Sequence, residues 1–306
     1  MRIHLLTFGN PNNPNSGSNI NIQMLRDSAL KRGHVLETLY AKDCQLEFVK
    51  KPRVLIENKL LKKAKIIIVK ATFGGENLDF HIGTIRQFEL SGFTLLNNHL
   101  SIMRTKNKVR NLQILNIHNV PIPKSYVVRS TEYISDIVKN ISSYPIILKS
   151  VSGSQGAGVA IIESQRGLRS IMDMIIKDDV KYAPVIIQEY IRESSGKDIR
   201  IFVVGNNIVA AMERIASKRG EFRSNFSMGG KVRIAGLTTE EKRIALKAVR
   251  VCGLDFAGVD LIRTKTGPKI LEVNSNPGLE GITQATNIDV AGKIIEYAVK
   301  KSKMKK

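Results

Sequence analysis

The chain has 306 residues, 42% of them hydrophobic, with two cysteines and a formal charge of +21 from 48 Lys and Arg against 27 Asp and Glu. That length buries a large core in two or three domains, no apolar run approaches the ~20 residues of a membrane span, and MRIHLLTF is too short an opening for a signal peptide. Cys44 and Cys252 are far apart and form neither a metal-ligand spacing nor a disulfide framework, so a reducing, cytoplasmic setting is expected.

Residues 1–97 alternate strand and helix. RIHLLTF reads as a strand, NINIQMLRDSALKRG as a helix closed by Gly33, and HVLETLY as the next strand. KIIIVK and FTLLN are further strands, with IGTIRQFELSG as a helix between them. This rhythm implies an open α/β sheet covered by helices. PNNPNSGS (11–18) is an exposed loop at the end of the first strand, either a long turn or part of the edge where open sheets bind ligands.

A second block, 98–188, opens with SIMRTKNKVRNLQILNIH, read as one basic amphipathic helix. VPIPKSYVV is extended because each proline pushes its predecessor out of helical geometry. PIILK, a glycine-rich loop, VAIIES, a helix over about 165–177 and PVIIQEY follow. The third block, 189–306, holds the strands DIRIFVVG, NIVAAMERIA, FAGVDLIR and KILEVN, the helix TTEEKRIALKAVRVCG, and a last helix, DVAGKIIEYAVKK, with Asp289 at its start. The charge concentrates partly in the tail KKSKMKK and in NKLLKKAK (58–65). Such charge draws anionic partners. There is no Trp and no base-stacking motif, so specific nucleic-acid readout is not expected.

Several residues carry chemical potential. SVSGSQGAGVAIIES places Gly153, Gly156 and Gly158 between two strands, where backbone N–H groups can approach a phosphate closely. It lacks the Gly-Lys-Ser/Thr and helix of a Walker loop, so it reads as a strand–loop–strand flap or an ordinary glycine hairpin. Lys149 ends the strand before it, as a solvated strand-end lysine or a point charge for phosphate oxygens. Glu189 and Tyr190 end a buried strand whose backbone could read an adenine edge. Asp198 could hold ribose hydroxyls or simply serve a turn. Arg200, Arg214 and Arg223, with Asn225, offer forks that suit phosphate and carboxylate, or are surface arginines of a basic protein.

In KILEVNSNPGLEG, Glu272 and Asn274 interrupt an apolar strand two residues apart, so they share a face roughly 6–7 Å apart. Asp260 lies in FAGVDLIR, joined to that strand by the hairpin TKTGPK, so Asp260 and Glu272 can face each other. Two carboxylates and an amide are hard oxygen donors that suit Mg²⁺, and without a cation the carboxylates would repel.

Together GVDLIR, LEVNSNPGLEG, IIQEYI with GKDIRIFVVG, and GEFRSNF resemble ATP-grasp ligases, in an order and spacing similar to RimK-type α-L-glutamate ligases. The similarity runs from near residue 85 to near 297, and more loosely over the N-terminal block. It implies an ATP-grasp fold behind an N-terminal α/β domain (1–97, 98–188 and 189–306), with ATP between the second and third blocks. It implies ATP contacts by Lys149, Glu189, Tyr190 and Asp198, with Phe222, Arg223 and Ser224 near the phosphates, and Mg²⁺ or Mn²⁺ on Asp260, Glu272 and Asn274. The implied activity activates a carboxylate as an acyl phosphate and joins it to an amine. L-glutamate and the C-terminus of an acidic peptide or protein, such as a ribosomal one, are the expected partners, and a homo-oligomer the expected assembly. The sequence departs from the family at Ser152, where an acidic residue is common, and at Ser227 and Met228, where many relatives carry His-Arg. Competing readings are the same chemistry on a small molecule and a ribosome-associated binding protein without turnover.

Overall fold

The computed structural model describes residues 1–13, 17–62, 64–73, 77–141, 144–151, 158–177, 184–194, 196–216 and 230–304. The first part contains β1 (Arg2–Thr7), α1 (Gly17–Lys31), β2 (Val35–Tyr40), β3 (Cys44–Phe48), β4 (Pro52–Ile56), β5 (Lys59–Leu60), β6 (Ile67–Lys70), α2 (Leu78–Leu90) and β7 (Leu95–Leu96). Strands β2-β1-β6-β7 form a parallel sheet in that order. The alternation of strand side chains divides its core. Ile3, Leu5 and Ile68 face one hydrophobic cluster; Leu6, Ile67 and Val69 face another that includes Ile85 and Phe88 of α2. The antiparallel β3-β4-β5 meander was not read from the sequence, where its lysines suggested only a charged stretch.

Next come α3 (His99–Lys106), α4 (Lys108–Ile117), β8 (Ser125–Val128), α5 (Ile134–Ile141), β9 (Ile146–Ser150), β10 (Val159–Ile162), α6 (Gln165–Lys177) and β11 (Val185–Glu189). The single helix expected over SIMRTKNKVRNLQILNIH is two helices. Asn107 is extended, at φ −105° and ψ 121°, and its side chain accepts from the Val109 and Arg110 N–H groups. A residue that caps cannot also propagate a helix. Strands β10-β9-β11-β8 are antiparallel, so the glycine-rich stretch joins two neighbouring antiparallel strands.

The remainder holds β12 (Lys197–Val204), β13 (Asn207–Ile215), β14 (Lys231–Ile234), α7 (Thr239–Cys252), β15 (Phe256–Thr264), β16 (Gly267–Asn274), α8 (Glu280–Thr286) and α9 (Val290–Met304). α7 starts in a Thr238–Glu241 capping box and stops at Gly253, whose φ of 76° only glycine adopts easily. The sheet order is β14-β13-β12-β15-β16. One face (Ile199, Ile201, Val203, Val259, Leu261) packs on α7 through Ile244 and Ala248. The opposite face is apolar at one end, where Phe202, Met212 and Phe256 join the cluster of Ile3, Leu5 and Ile68. The N-terminal sheet and the C-terminal part thus share one core.

Asn97 reinforces that junction. Fully buried, its amide donates to the carbonyls of Phe256 (3.0 Å) and Ser275 (3.1 Å) and accepts from the N–H groups of Asp255 (2.7 Å) and Phe256 (3.2 Å). A side chain that satisfies four backbone groups at once fixes how the two parts meet.

Candidate active site

The apolar face of the third sheet turns polar along its strands. Asp198 and Arg200 precede Phe202 on β12, and Arg214 follows Met212 on β13. Asp260 lies opposite both Arg200 and Glu272, while Asn274 lies opposite Gly258. Strand register alone therefore aligns Arg214, Asp198, Arg200, Asp260, Glu272 and Asn274 on one surface.

Arginine–carboxylate forks link the first four. Arg200 holds Asp260 through Nε and through Nη2, the latter to Oδ2 at 2.8 Å. Arg214 holds both Asp198 oxygens, at 2.6 and 2.5 Å, and its Nη2 also reaches Asp260 Oδ2 at 2.9 Å. Asp198, read as a ribose contact or a turn residue, lies within β12 and not in a turn, with its carboxylate gripped by Arg214. Arg200 and Arg214, expected to present open forks, have those forks occupied by aspartate, leaving Nη1 of each without a partner among the described residues. Buried charges need such partners, and the strand register supplies them.

Glu272 is the unmatched charge. Among the described residues its carboxylate makes no hydrogen bond or ion pair, and burial, then Asp260, pushes its pKa up. For Asp260 burial pushes the same way, but Arg200 and Arg214 outweigh it and hold the carboxyl below the usual range. Asn274 Oδ1 accepts from the Asn276 N–H at 2.8 Å. A carboxylate with no hydrogen bond or ion pair of its own among the described residues, beside a second carboxylate and an amide oxygen, is a donor set that fits a hard divalent cation.

The opposing wall is cationic. Lys149 donates to Gln188 Oε1 at 2.6 Å, and Gln188 in turn donates to Ser125 Oγ at 2.7 Å. Burial lowers Lys149 to about 8, with Glu272 the main opposing influence. Lys108, the first residue of α4, donates to the Ser150 carbonyl at 2.9 Å and also feels Glu272. Asn111 on the same helix donates to the Val273 carbonyl (3.1 Å) and accepts its N–H (3.3 Å), pinning β16 between Glu272 and Asn274. Lys108, Gln188 and Asn111 were not singled out in the sequence. The available signal was Asn107, whose capping role places the next turn of helix.

Gly158 has φ +72°, and a Cβ there would lie 2.9 Å from Ser150 Cβ. Gly153, Gly156, Phe222, Arg223, Ser224 and Asn225, with Ser152, Ser227 and Met228, lie outside the described residues. Glu189 pairs with Lys269, and its N–H donates to the Lys124 carbonyl at 2.9 Å, so that backbone donor is not free. Beside it lies a cavity of about 260 Å³ lined in part by Tyr190, Pro145, Arg192 and Lys265.

Gly258 makes the close packing possible. A Cβ there would stand 2.9 Å from Pro277 Cβ and 3.0 Å from both Cδ and Nη1 of Arg200. Gly258→Ala is expected to lower kcat about 100-fold, because small displacements at a reacting centre are costly, while thermal unfolding registers overpacking of only ~1–3 kcal/mol. Unchanged steady-state kinetics would contradict this.

A RimK-like ATP-grasp domain profile matches residues 105–298. A probable alpha-L-glutamate ligase of Vibrio vulnificus is 36% identical over 281 residues, 91% of either chain, and one of Coxiella burnetii 37% over 283 residues, 92% of either chain. This chain belongs to the RimK-like ATP-grasp family. It is accordingly an ATP-dependent ligase. Solved structures agree in fold. The ATP-grasp ligase PsnB, complexed with a phosphomimetic variant of its minimal precursor, Mg and ADP, superposes with a TM-score of 0.76 at 15% identity, covering 98% of each chain. The D-cycloserine synthetase DcsG gives 0.74 at 14% identity, over 99% of this chain and all of the other. ATP-grasp ligases use ATP and Mg²⁺. No helix among the described residues is long and apolar enough to cross a membrane.

Proposed function

We propose that this ligase adds L-glutamate to the C-terminal carboxylate of an acidic peptide or protein in the cytoplasm. The observation that carries the reading is Glu272, an unpaired carboxylate held in register opposite Asp260 and facing Lys149. That arrangement supports a metal–triphosphate site on Asp260, Glu272 and Asn274, with Mg²⁺ or Mn²⁺ supplying charge neutralisation at the phosphates. Lys149, oriented by Gln188, and Lys108 bind phosphate oxygens. Arg200 and Arg214 turn their remaining Nη1 groups to the reacting centre and are held there by Asp198 and Asp260. Asp198 keeps lone pairs for ribose hydroxyls beyond those that Arg214 uses. Glu189 and Tyr190 border the adenine, and Gly153, Gly156, Gly158, Phe222, Arg223, Ser224 and Asn225 close over the phosphates.

A carboxylate oxygen of the acceptor attacks the γ-phosphorus as the bond to the bridging oxygen of ADP breaks. The amine of glutamate then attacks the acyl carbon, the acyl C–O bond breaks as phosphate leaves with that oxygen and the bonding pair, and the new amide nitrogen gives up a proton. Exclusion of water preserves the acyl phosphate. The relatives' names support glutamate, and the charge of +21 supports an acidic acceptor.

The test supplies ATP and Mg²⁺ with glutamate, aspartate or neutral amino acids, each with an acidic C-terminal peptide, and follows ADP release and product mass. Glutamate-dependent peptide extension is expected. Salt should raise KM for the peptide far more than KM for ATP, since long-range attraction is screened beyond ~8 Å at physiological ionic strength. A preference for a neutral amino acid, or a peptide KM indifferent to salt, would overturn the substrate reading. ADP release with glutamate and a small-molecule carboxylate alone would favour the small-molecule reading.

A further inference from the structure

A second group of cations adjoins this site and is unused by the chemistry above. Lys70 ends β6 and is 1% exposed. Among the described residues its ammonium has one hydrogen-bond acceptor, the Pro277 carbonyl at 3.0 Å, and no carboxylate. Pro277 belongs to the loop that follows Asn274, and its ring stands against Gly258 beside Arg200. Lys70 therefore reaches from the N-terminal sheet to the loop that follows the strand carrying Glu272 and Asn274.

Lys106, the last residue of α3, is its companion. Its ammonium lies 5.2 Å from the centre of the Phe73 ring and has no hydrogen bond or ion pair among the described residues. It is within electrostatic reach of both Lys70 and Glu272. Burial first and Lys106 second lower Lys70 to about 7, and burial lowers Lys106 to about 8. Two desolvated ammonium groups that repel each other destabilise the empty protein, and an anion between them would remove both penalties.

The surroundings suit a small organic anion. Phe8, Phe73 and His81 pack ring against ring, with centroids 4.6–4.9 Å apart, forming an apolar wall beneath Lys106. His81 Nδ1 and Ser18 Oγ are buried polar atoms without a partner among the described residues. A Cβ on Gly9 would stand 2.9 Å from Ser18 Oγ, so backbone passes close to that hydroxyl. All of this sits at the carboxyl ends of β1 and β6, the edge at which open parallel sheets bind ligands.

We propose that Lys70 and Lys106 seat a substrate carboxylate between the carboxyl end of the N-terminal sheet and the loop carrying Pro277, with the Phe8–Phe73–His81 wall against its aliphatic stem. The inference rests on the ligase reading, which requires carboxylate substrates next to the metal strand. Lys149 and Lys108 serve the phosphates; Lys70 comes from the end of β6 in the N-terminal sheet, and Lys106 from the last turn of α3, one residue before the Asn107 cap. The carboxylate comes either from the incoming amino acid or from the last residue of the acceptor.

The experiment measures Tm for wild type, Lys70→Met, Lys70→Arg and Lys106→Gln, without nucleotide, against L-glutamate and against a peptide ending in Glu-Glu. Wild type should be stabilised by one of them. Lys70→Met and Lys106→Gln should bind it at least tenfold more weakly, and Lys70→Arg should retain it. A response to glutamate identifies the amino-acid seat, and a response to the peptide alone identifies the acceptor seat. Unliganded Lys70→Met should be as stable as wild type or more so, since it removes a buried charge. In turnover, KM for the same carboxylate should rise at least tenfold with KM for ATP unchanged. Equal stabilisation of wild type and both variants, or of none of them, would overturn the proposal. Because the binding arm needs no turnover, a wild-type protein that forms no ADP would refute the function separately. If Lys70→Met does not fold, Lys106→Gln gives the same decision.

Discussion

Glu272→Gln is expected to lower kcat at least ~100-fold, a loss of about 2.7 kcal/mol of transition-state stabilisation, without destabilising the fold. The glutamine keeps the shape and removes the charge on which the proposed metal site depends. No arginine loses a partner, because Glu272 has no ion pair among the described residues. Since burial raises the Glu272 pKa, the stability it contributes is complete below the ordinary glutamate range and is lost as pH rises through its raised value. Metal-free wild type should therefore lose stability with rising pH relative to Glu272→Gln, and Mg²⁺ should restore it. Asp260→Asn should lose turnover equally but behave differently in unfolding. It strips the shared carboxylate from Arg200 and Arg214, and breaking a buried pair costs ~3–5 kcal/mol. Removal of repulsion, the simple expectation for both carboxylates, holds only for Glu272. Near-normal turnover of Glu272→Gln in saturating Mg²⁺ would overturn the metal assignment.

Lys149→Met should raise KM for ATP by about 10- to 100-fold, the value of one charged hydrogen bond of ~1.5–3 kcal/mol. Its pH profile distinguishes a phosphate contact from a packing defect. In the free protein Lys149 titrates at about 8, because burial disfavours the ammonium more than Glu272 favours it. Triphosphate favours the ammonium. ATP binding should therefore take up a proton above about pH 8, and affinity should fall by up to ~10-fold per pH unit as the free amine loses its charge. Calorimetry in two buffers of different ionisation enthalpy measures that uptake. It should diminish in Lys149→Met. Gln188→Leu, which frees Lys149 from its orienting amide, should reproduce part of the KM effect and keep the proton uptake. Proton uptake unchanged in Lys149→Met would place the ammonium away from the phosphates.

The sequence by itself determined what depends on near neighbours. Period-two alternation placed Glu272 and Asn274 on one face of a strand, and the short hairpin after Asp260 brought the second carboxylate opposite. Capping residues bounded α7, and βα alternation specified the parallel sheet. Asn107 was the local exception, because its capping side chain divides a stretch whose hydrophobic spacing suits one helix. What surrounds each site residue was decided only in three dimensions. That Arg200 and Arg214 clasp aspartates depends on strand order and register between segments up to 60 residues apart. Lys108, Gln188 and Asn111 join the candidate site because α4 and β11 pack beside β9 and β16. Lys70 ends the strand read as KIIIVK and carried no reading of its own; its buried ammonium donates to the Pro277 carbonyl, 207 residues away. A lysine's sequence neighbours describe its backbone; whether water or protein surrounds its ammonium is settled by the chain that packs over it.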